Sequence, residues 1–173
     1  WDIASTLQYT HRNNDGDRII QSDGQTVADS LFASNASLTP GEMQVQAERW
    51  NAHLNLQRKH WDIGFWAFNK VDADLGAGAG GALDDEGSFD GENYLTDLRF
   101  SSEDLIEDWE VLVHASYLFA NVDTEIHNFP DNSVFLIDAN GNISATGSPV
   151  LFPDGMLTQI ELENQVASLE MSS

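Results

Sequence analysis

The chain has 173 residues, 41% of them hydrophobic, which suffices for one domain with a core and leaves soluble and membrane classes both open. Acidic residues outnumber lysine and arginine 29 to 7, and the formal net charge of -22 repels nucleic-acid phosphates and excludes nucleic acid as a partner. There are no cysteines, so disulfides and thiolate metal sites are excluded, and no apolar run reaches the ~18 to 20 residues of a membrane-crossing helix.

In residues 1–10, Trp1, Ile3, Leu7 and Tyr9 share one face and Asp2, Thr6, Gln8 and Thr10 the other, the period of two of a half-buried strand. From His11 to Pro40 the sequence turns polar and turn-rich, which predicts a long loop. A second strand, 46–57, sets Trp50, Ala52, Leu54 and Leu56 against Asn51, His53, Asn55 and Gln57. Arg58, Lys59 and His60 make a tight turn into a third, 61–70, whose apolar residues are Trp61, Ile63, Phe65 and Phe68. Residues 71–93, with Gly76, Gly78, Gly80, Gly81, Gly87 and Gly91, read as a mobile loop.

The fourth strand, 93–101, opposes Tyr94, Leu98 and Phe100 to Asp97 and Arg99. A short connection at 101–108 leads to the fifth, 109–120, where Trp109, Val111, Val113, Ala115, Tyr117 and Phe119 oppose Glu110, His114 and Ser116. A third long loop, 120–156, contains Pro130, Pro153 and a candidate hairpin in which Asn140 and Gly141 separate Val134 and Leu136 from Ile143. The sixth strand, 157–171, alternates less cleanly: Ile160, Leu162 and Val166 share one face, and a phase change is expected before Leu169 and Met171.

Two stretches also admit a helix. Thr39, Pro40 and Glu42 resemble a helix start followed by Met43, Ala47, Trp50 and Leu54 at helical spacing. Ser101 with Asp104, then Leu105, Trp109, Leu112 and Ser116, permits another, and the two together would make a soluble α+β domain. The unbroken alternations at 50–57 and 109–119 favour strands, because a helix would strand Leu56 and Val111 on a polar face.

The predicted fold is therefore all-β: an antiparallel up-and-down transmembrane β-barrel segment of about six strands, with long extracellular loops and short periplasmic turns. Eight residues at ~3.3 Å each and a ~40° tilt climb about 20 Å, close to the ~25 Å apolar band of such barrels. Trp1, Trp61 and Trp109 then belong to the periplasmic aromatic girdle, and Tyr9, Trp50, Tyr94 and Tyr117 to the outer one. Asn51, His53, Asn55, Asp97, Arg99, His114 and Ser116 would face the lumen. Because the smallest such barrels have about eight strands, and because Trp1 and residues 167–173 lie inside strand-like pattern, the chain is expected to be one part of a larger wall.

Catalytic and metal chemistry finds no footing in the sequence. Asp84, Asp85 and Glu86, or Glu103 with Asp104, are adjacent carboxylates in turn-rich segments rather than a pair with divergent environments. His11, His53, His60, His114 and His127 lack ligand spacing. Asp15, Gly16 and Asp17, and Asp138, Asn140, Gly141 and Asn142, look superficially like calcium loops without their ordered acids, and turn chemistry accounts for both. No catalytic residue, cofactor or metal site is predicted, and the chain is not expected to be an enzyme.

The passages "WNAHLNLQRKHWDIGFWAF", "GAGAGGALDDEGSFDGENYLTDLRF" and "EDWEVLVHASYLFANV" resemble, in turn, a hairpin, an outer loop with its descending strand, and an ascending strand of TonB-dependent outer-membrane receptors. Those are plugged barrels of about 22 strands that import scarce nutrients. The resemblance implies a bacterial outer-membrane location, a small-molecule ligand such as a metal chelate, the lipid bilayer as surroundings, and energy from the inner-membrane TonB complex through a plug that this sequence does not contain. A passive outer-membrane channel or structural barrel, and a soluble acidic α+β binding domain, are the alternatives.

Overall fold

The computed structural model describes all residues except Asp15, Ala79 and 103–108. In chain order its elements are β1 (Asp2–Arg12), β2 (Ile19–Ile20), α1 (Gly24–Phe32), β3 (Gly41–Glu42), β4 (Ala47–Arg58), β5 (Trp61–Asp74), β6 (Ser88–Ser101), β7 (Leu112–Phe129), β8 (Ser133–Ile137), β9 (Ser148–Phe152) and β10 (Met156–Ser172). The fold is all-β with an antiparallel sheet as its body. Six long strands pair in the order β1-β4-β5-β6-β7-β10, each beside its neighbour in the chain once the short strands are set aside. Strands β1 and β10 are open edges, so the sheet is not closed.

The connections alternate. Lys59 and His60 join β4 to β5, with Lys59 at a φ of 44, and residues 102–111 join β6 to β7 at the same end. The second turn is pinned by Ser102, whose N–H donates to the Val111 carbonyl at 2.9 Å while its hydroxyl accepts from the Val111 N–H at 2.7 Å. The other three connections are long and gather at the opposite end.

Register sorts the side chains onto two unlike faces. Directly paired residues across β1, β4, β5, β6, β7 and β10 form the rows Ile3, Leu56, Ile63, Leu98, Ala115, Leu169 and Ser5, Leu54, Phe65, Thr96, Tyr117, Ala167. Trp61, Phe100, Val113 and Met171 close this apolar field at the short-turn end, where the rings of Trp61 and Phe100 pack at a tilt of 49° with centroids 4.7 Å apart and the Arg58 guanidinium sits over the Trp1 ring. At the other end come Leu7, Ala52, Ala67, Tyr94 and Phe119, then Tyr9 and Trp50. The Asn69 amide donates to the Tyr94 hydroxyl at 3.0 Å, a polar anchor for an otherwise apolar side chain.

This face is bare. Ile3, Leu7, Leu169 and Met171 are 67, 77, 62 and 70% exposed, and even Phe65 and Leu98, in the middle of the sheet, are 36 and 37% exposed. A contiguous apolar surface of this size on a protein marks a place where something other than water belongs.

Several strands run beyond their predicted ends. β5 continues to Asp74, β6 starts at Ser88 and β7 extends to Phe129, where the sequence reads as loop. Beyond the apolar field carboxylates take over that face and the apolar residues, Val122, Ile126, Ile160 and Leu162, stand on the other, so the alternation that reveals the strands falls out of phase. Strand β7 begins at Leu112, which leaves Trp109 in the short connection ahead of it, 57% exposed at the same end as Trp61. Phe68 also departs from expectation. Paired with Asn51 and Asn93, it lies with Trp66 on the polar face, because three residues after Phe65 is an odd step in a period of two.

Strand β10 holds its pairing from Leu157 to Ser172 without a bulge, so the expected phase change before Leu169 falls in the side-chain pattern and not in the backbone register. What switches is the apolar side: Leu169 and Met171 lie on the bare face, and Ile160, Leu162 and Val166 on the other. The helical alternatives do not survive. Met43 lies between β3 and β4, and Ala47, Trp50 and Leu54 are strand residues; Leu112 and Ser116 are strand as well, while Asp104 and Leu105 lie outside the described residues.

Candidate functional site

The polar face of the sheet gathers every residue expected in the lumen. Asn51, His53 and Asn55 alternate along β4, Asn55 lies opposite Gly64, Gly64 opposite Asp97, and Asp97 opposite Ser116. One step toward the short-turn end, Asp62, Arg99 and His114 form the next row, and Asp97 holds His114 with Oδ1 at 2.9 Å from Nε2. The interface aromatics Trp1, Tyr9, Trp50, Trp61, Tyr94 and Tyr117 all lie on the opposite, apolar face. Two aromatics lie on the polar face, Trp66, which the sequence reading did not place, and Phe68, which it grouped with the apolar residues; their rings stack 6.2 Å apart and 7° from parallel.

On the apolar face the field ends abruptly toward the long loops. Immediately past Tyr94 and Phe119 come Glu92, Asn121 and Glu163 in one row, then Asp90, Asp123 and Glu161, then Glu125 opposite Gln159. Directly opposed carboxylates repel unless water or counterions screen them, so this part of the face belongs in an aqueous phase. The side chains thus change from hydrocarbon to carboxylate within two residues on β6, from Tyr94 to Glu92, and within four on β7 and β10, from Phe119 to Asp123 and from Ala167 to Glu163.

Beyond the acidic rows the long connections fold into a small ordered cap. The segment expected as featureless loop contains α1, started by Asp23 in a capping box: its Oδ1 accepts from the Thr26 N–H at 2.8 Å while Thr26 Oγ1 accepts from the Asp23 N–H at 3.1 Å. Asp23 Oδ2 accepts from the Leu83 N–H at 2.8 Å, so the first long connection is tied to the second. Asp29 accepts from the Ala36 and Ser37 N–H groups at 2.9 and 2.8 Å and folds the helix end back on itself.

The glycine-rich stretch is built for contact rather than mobility. A Cβ on Gly78 would collide with the His127 carbonyl, and one on Gly80 would come within 2.8 Å of both the Asn128 carbonyl and the Phe129 ring. Only bare backbone allows the second connection to lie this close to the end of β7. The candidate hairpin in the third connection does form, with a different partner: β8 pairs with β9, and Ile143 makes only a bridge to Ile137. Asp138 diverts the chain, its Oδ1 accepting from the Asn140 and Asn142 N–H groups at 2.8 and 3.0 Å around Gly141 at a φ of 85.

That use of Asp138 is turn chemistry. Asp84 is similar, its Oδ1 accepting from Glu86 and Gly87 N–H groups at 3.1 and 2.8 Å. Among the described residues, no three His, Asp or Glu side chains converge as metal ligands. Glu103 and Asp104, like Asp15, lie outside the described residues.

The cap carries a pH dependence. Partial burial opposes charge on Asp23, but bonds from the Leu83 and Thr26 amides and from the Thr26 and Ser37 hydroxyls outweigh it and hold the carboxyl below the ordinary aspartate range. In Asp29, burial is likewise outweighed by the Ser37 amide, the Gln25 and Ser34 side chains and the Ala36 amide. A depressed native pKa stabilises the fold above the unfolded value and loses that contribution as pH falls through the native one. The cap is therefore expected to loosen below about pH 4, the unperturbed aspartate value, and not between pH 5 and 8. Pepsin cleavage near Phe32, rising as pH is lowered from about 4.5 to 2.5 and normalised to an unstructured substrate, measures it; a flat ratio contradicts it.

Compared with known proteins, the chain matches no protein-family model, no curated protein and no solved structure. Among the described residues, no helix is long and apolar enough to cross a membrane, which says nothing about crossing by strands.

Proposed function

We propose that this chain is part of the wall of a bacterial outer-membrane receptor of the TonB-dependent kind, which imports a scarce nutrient such as a metal chelate. One observation carries the reading: a bare apolar face, bounded by aromatics, gives way to opposed carboxylates within two rows of side chains. That is the profile of a surface leaving hydrocarbon for water. From Trp61 to Asn69 the strand advances ~26 Å, or about 20 Å along the membrane normal at a ~40° tilt, which matches the ~25 Å apolar band of outer-membrane barrels.

The alternation of short and long connections supports an orientation with the turns in the periplasm and the cap outside the cell. Open edges in lipid would cost several kcal/mol for each unpaired backbone group, so strands must lie beside β1 and β10 in the assembled wall. A barrel completed by further strands, its polar face turned to a lumen, fits a receptor wall. Specific assignment to the TonB-dependent kind rests on the sequence resemblance, and active uptake then requires a plug and the inner-membrane coupling complex.

The test is expression of the full reading frame that carries this sequence. The product is expected in the outer-membrane fraction, to migrate faster on gels unless boiled, and to support nutrient uptake that stops when the coupling complex is deleted. Recovery in the aqueous fraction without detergent would overturn the membrane reading. Uptake indifferent to the coupling complex would leave a passive channel.

A further inference from the structure

Charge is sorted by face toward the long-loop end of the sheet. On the polar face, the three rows running from Thr6, His53 and Trp66 up to Thr10, Arg49 and Lys70 contain no carboxylate on any of the six strands. On the opposite face, the rows flanking that level carry Glu48, Asp90, Glu92, Asp123, Glu161 and Glu163. The chain has only 7 lysines and arginines against 29 acids, yet Arg12, Arg49 and Lys70 stand together on the acid-free side. Arg49 is directly paired with both Thr10 and Lys70, and Arg12 follows Thr10 on the same face of β1.

These cations have no carboxylate partner. Among the described residues, the side chains of Arg12, Arg49 and Lys70 make no hydrogen bond or ion pair, and the Lys70 ammonium lies 4.3 Å from the centroid of the Phe89 ring. The nearby acids are held elsewhere: Glu48 faces His11 at 3.3 Å, and Asp90 accepts from the Asp72 amide at 2.8 Å. Beside Arg49 opens a recess of about 180 Å³ lined by Gln8, Thr10, Arg49, Trp50, Asn51 and Phe68, none of them acidic. Gln8, Thr10 and Asn51 also make no side-chain hydrogen bond among the described residues, so a guanidinium, a hydroxyl and two amides are free to donate there. The recess between Asp62, Asp97 and Arg99, nearer the short turns, mixes both signs and selects neither.

We infer that the recess beside Arg49 binds an oxyanion of the nutrient, a carboxylate or phosphate group that accepts from Arg49, Thr10, Gln8 and Asn51 and is attracted by Lys70 and Arg12. Like charges directly opposed across a strand pair repel, and an anion beside Arg49 and Lys70 relieves that repulsion. Arginine suits the task because its planar fork matches the two oxygens of a carboxylate or phosphate. The inference rests on the receptor reading, in which this face lines the lumen and its long-loop end opens toward the cap. It gives the nutrient a negative charge, which the net charge of -22 taken alone would disfavour.

The experiment titrates the full-length protein in detergent at low salt with citrate and with inorganic pyrophosphate, with sorbitol as the neutral control, followed by calorimetry and tryptophan fluorescence. At least one anion is expected to bind with a Kd of ~1 mM or tighter, and sorbitol not to bind. Tighter binding of citrate assigns the site to carboxylates, tighter binding of pyrophosphate to phosphates. Arg49→Gln is expected to weaken binding about tenfold or more, and Lys70→Gln and Arg49→Lys, which keeps the charge and loses the fork, to weaken it less. Arg58→Gln removes the same charge beside Trp1 at the short-turn end and is expected to leave binding unchanged. Each variant is first shown to give the fast-migrating unboiled band, and Lys70→Gln and Arg49→Lys carry the test if Arg49→Gln does not assemble.

Absence of binding by both anions up to ~10 mM, sorbitol binding as tight as theirs, or affinity indifferent to every assembled variant of Arg49 and Lys70 overturns the inference. So does a loss in Arg58→Gln equal to that in Arg49→Gln, because it would reduce the effect to overall charge. A protein that assembles in the outer membrane yet fails these tests loses only the anion site. One that stays in the aqueous fraction loses the receptor reading itself.

Discussion

Phe65→Arg in the full-length protein is expected to sharply reduce the folded, fast-migrating species, whereas Asn51→Arg is expected to leave it near wild type. Phe65 sits mid-field on the apolar face, paired with Leu54 and Thr96, and Asn51 lies on the polar face opposite Gln8 and Phe68. An arginine near the centre of the bilayer on the lipid side of a barrel costs ~2–4 kcal/mol, roughly a thirty- to thousand-fold shift in the folded ratio. On a wetted face the same side chain costs little. In a soluble protein the prediction would fail, because Phe65 is already 36% exposed and an arginine there would extend into water. Equal yields for the two variants would therefore remove the lipid from the account.

The parts of this molecule that were readable in advance are those where two environments differ across the sheet. From Trp50 to Gln57 one side of β4 is apolar and the other polar, and the alternation is unmistakable. Past Asn69, Glu92 and Asn121 the apolar side changes over, with Val122, Ile126, Ile160 and Leu162 on the face opposite the carboxylates, so the alternation falls out of phase and the upper halves of β5, β6 and β7 pass for loop. The cap was hidden for a related reason. Asp23 and Thr26 carry a capping signal, but Val27 and Leu31 are 61 and 73% exposed, and a helix that buries so little gives weak periodicity around it.

Periodicity also fixes a face without fixing neighbours. That Asn55, Asp97 and Arg99 share a side of the sheet follows from counting by twos; that Gly64 stands between Asn55 and Asp97 follows only from register, which depends on the lengths of the turns at Lys59 and beyond Ser101. Phe68 was misplaced because an aromatic in an apolar stretch is grouped with the apolar face by default, and Trp66 went unplaced because it falls out of step with Phe65 in a period of two. Glycines, conversely, mislead by composition: the absence of side chains at Gly78 and Gly80 reads as freedom until the approach of His127 and Asn128 is seen.

Asp23→Ala is expected to open the cap while the sheet stays intact. The carboxylate serves two connections through separate oxygens. Oδ1 accepts from the Thr26 amide and the Thr26 and Ser37 hydroxyls, at 2.8, 2.8 and 2.9 Å, and Oδ2 from the Leu83 amide at 2.8 Å. Loss of a helix N-cap costs ~1–2 kcal/mol, and loss of the acceptor for the Leu83 amide about 1 kcal/mol more, so local opening should become easier by ~2–3 kcal/mol. Hydrogen exchange at the Thr26 and Leu83 amides should then accelerate by roughly thirty- to a hundred-fold or more, with amides in the paired segments of β4, β5 and β6 unaffected. Asp23→Asn separates the two roles. It keeps one oxygen for the helix start but can present an amide N–H to the Leu83 N–H, so that exchange should rise at Leu83 and stay slow at Thr26. If the side chain instead flips to save Leu83, the pattern reverses, and either outcome shows one carboxylate holding two loops together. Unchanged exchange at both amides in Asp23→Ala would mean that the cap is held by the close backbone packing at Gly78 and Gly80 and that Asp23 is dispensable to it.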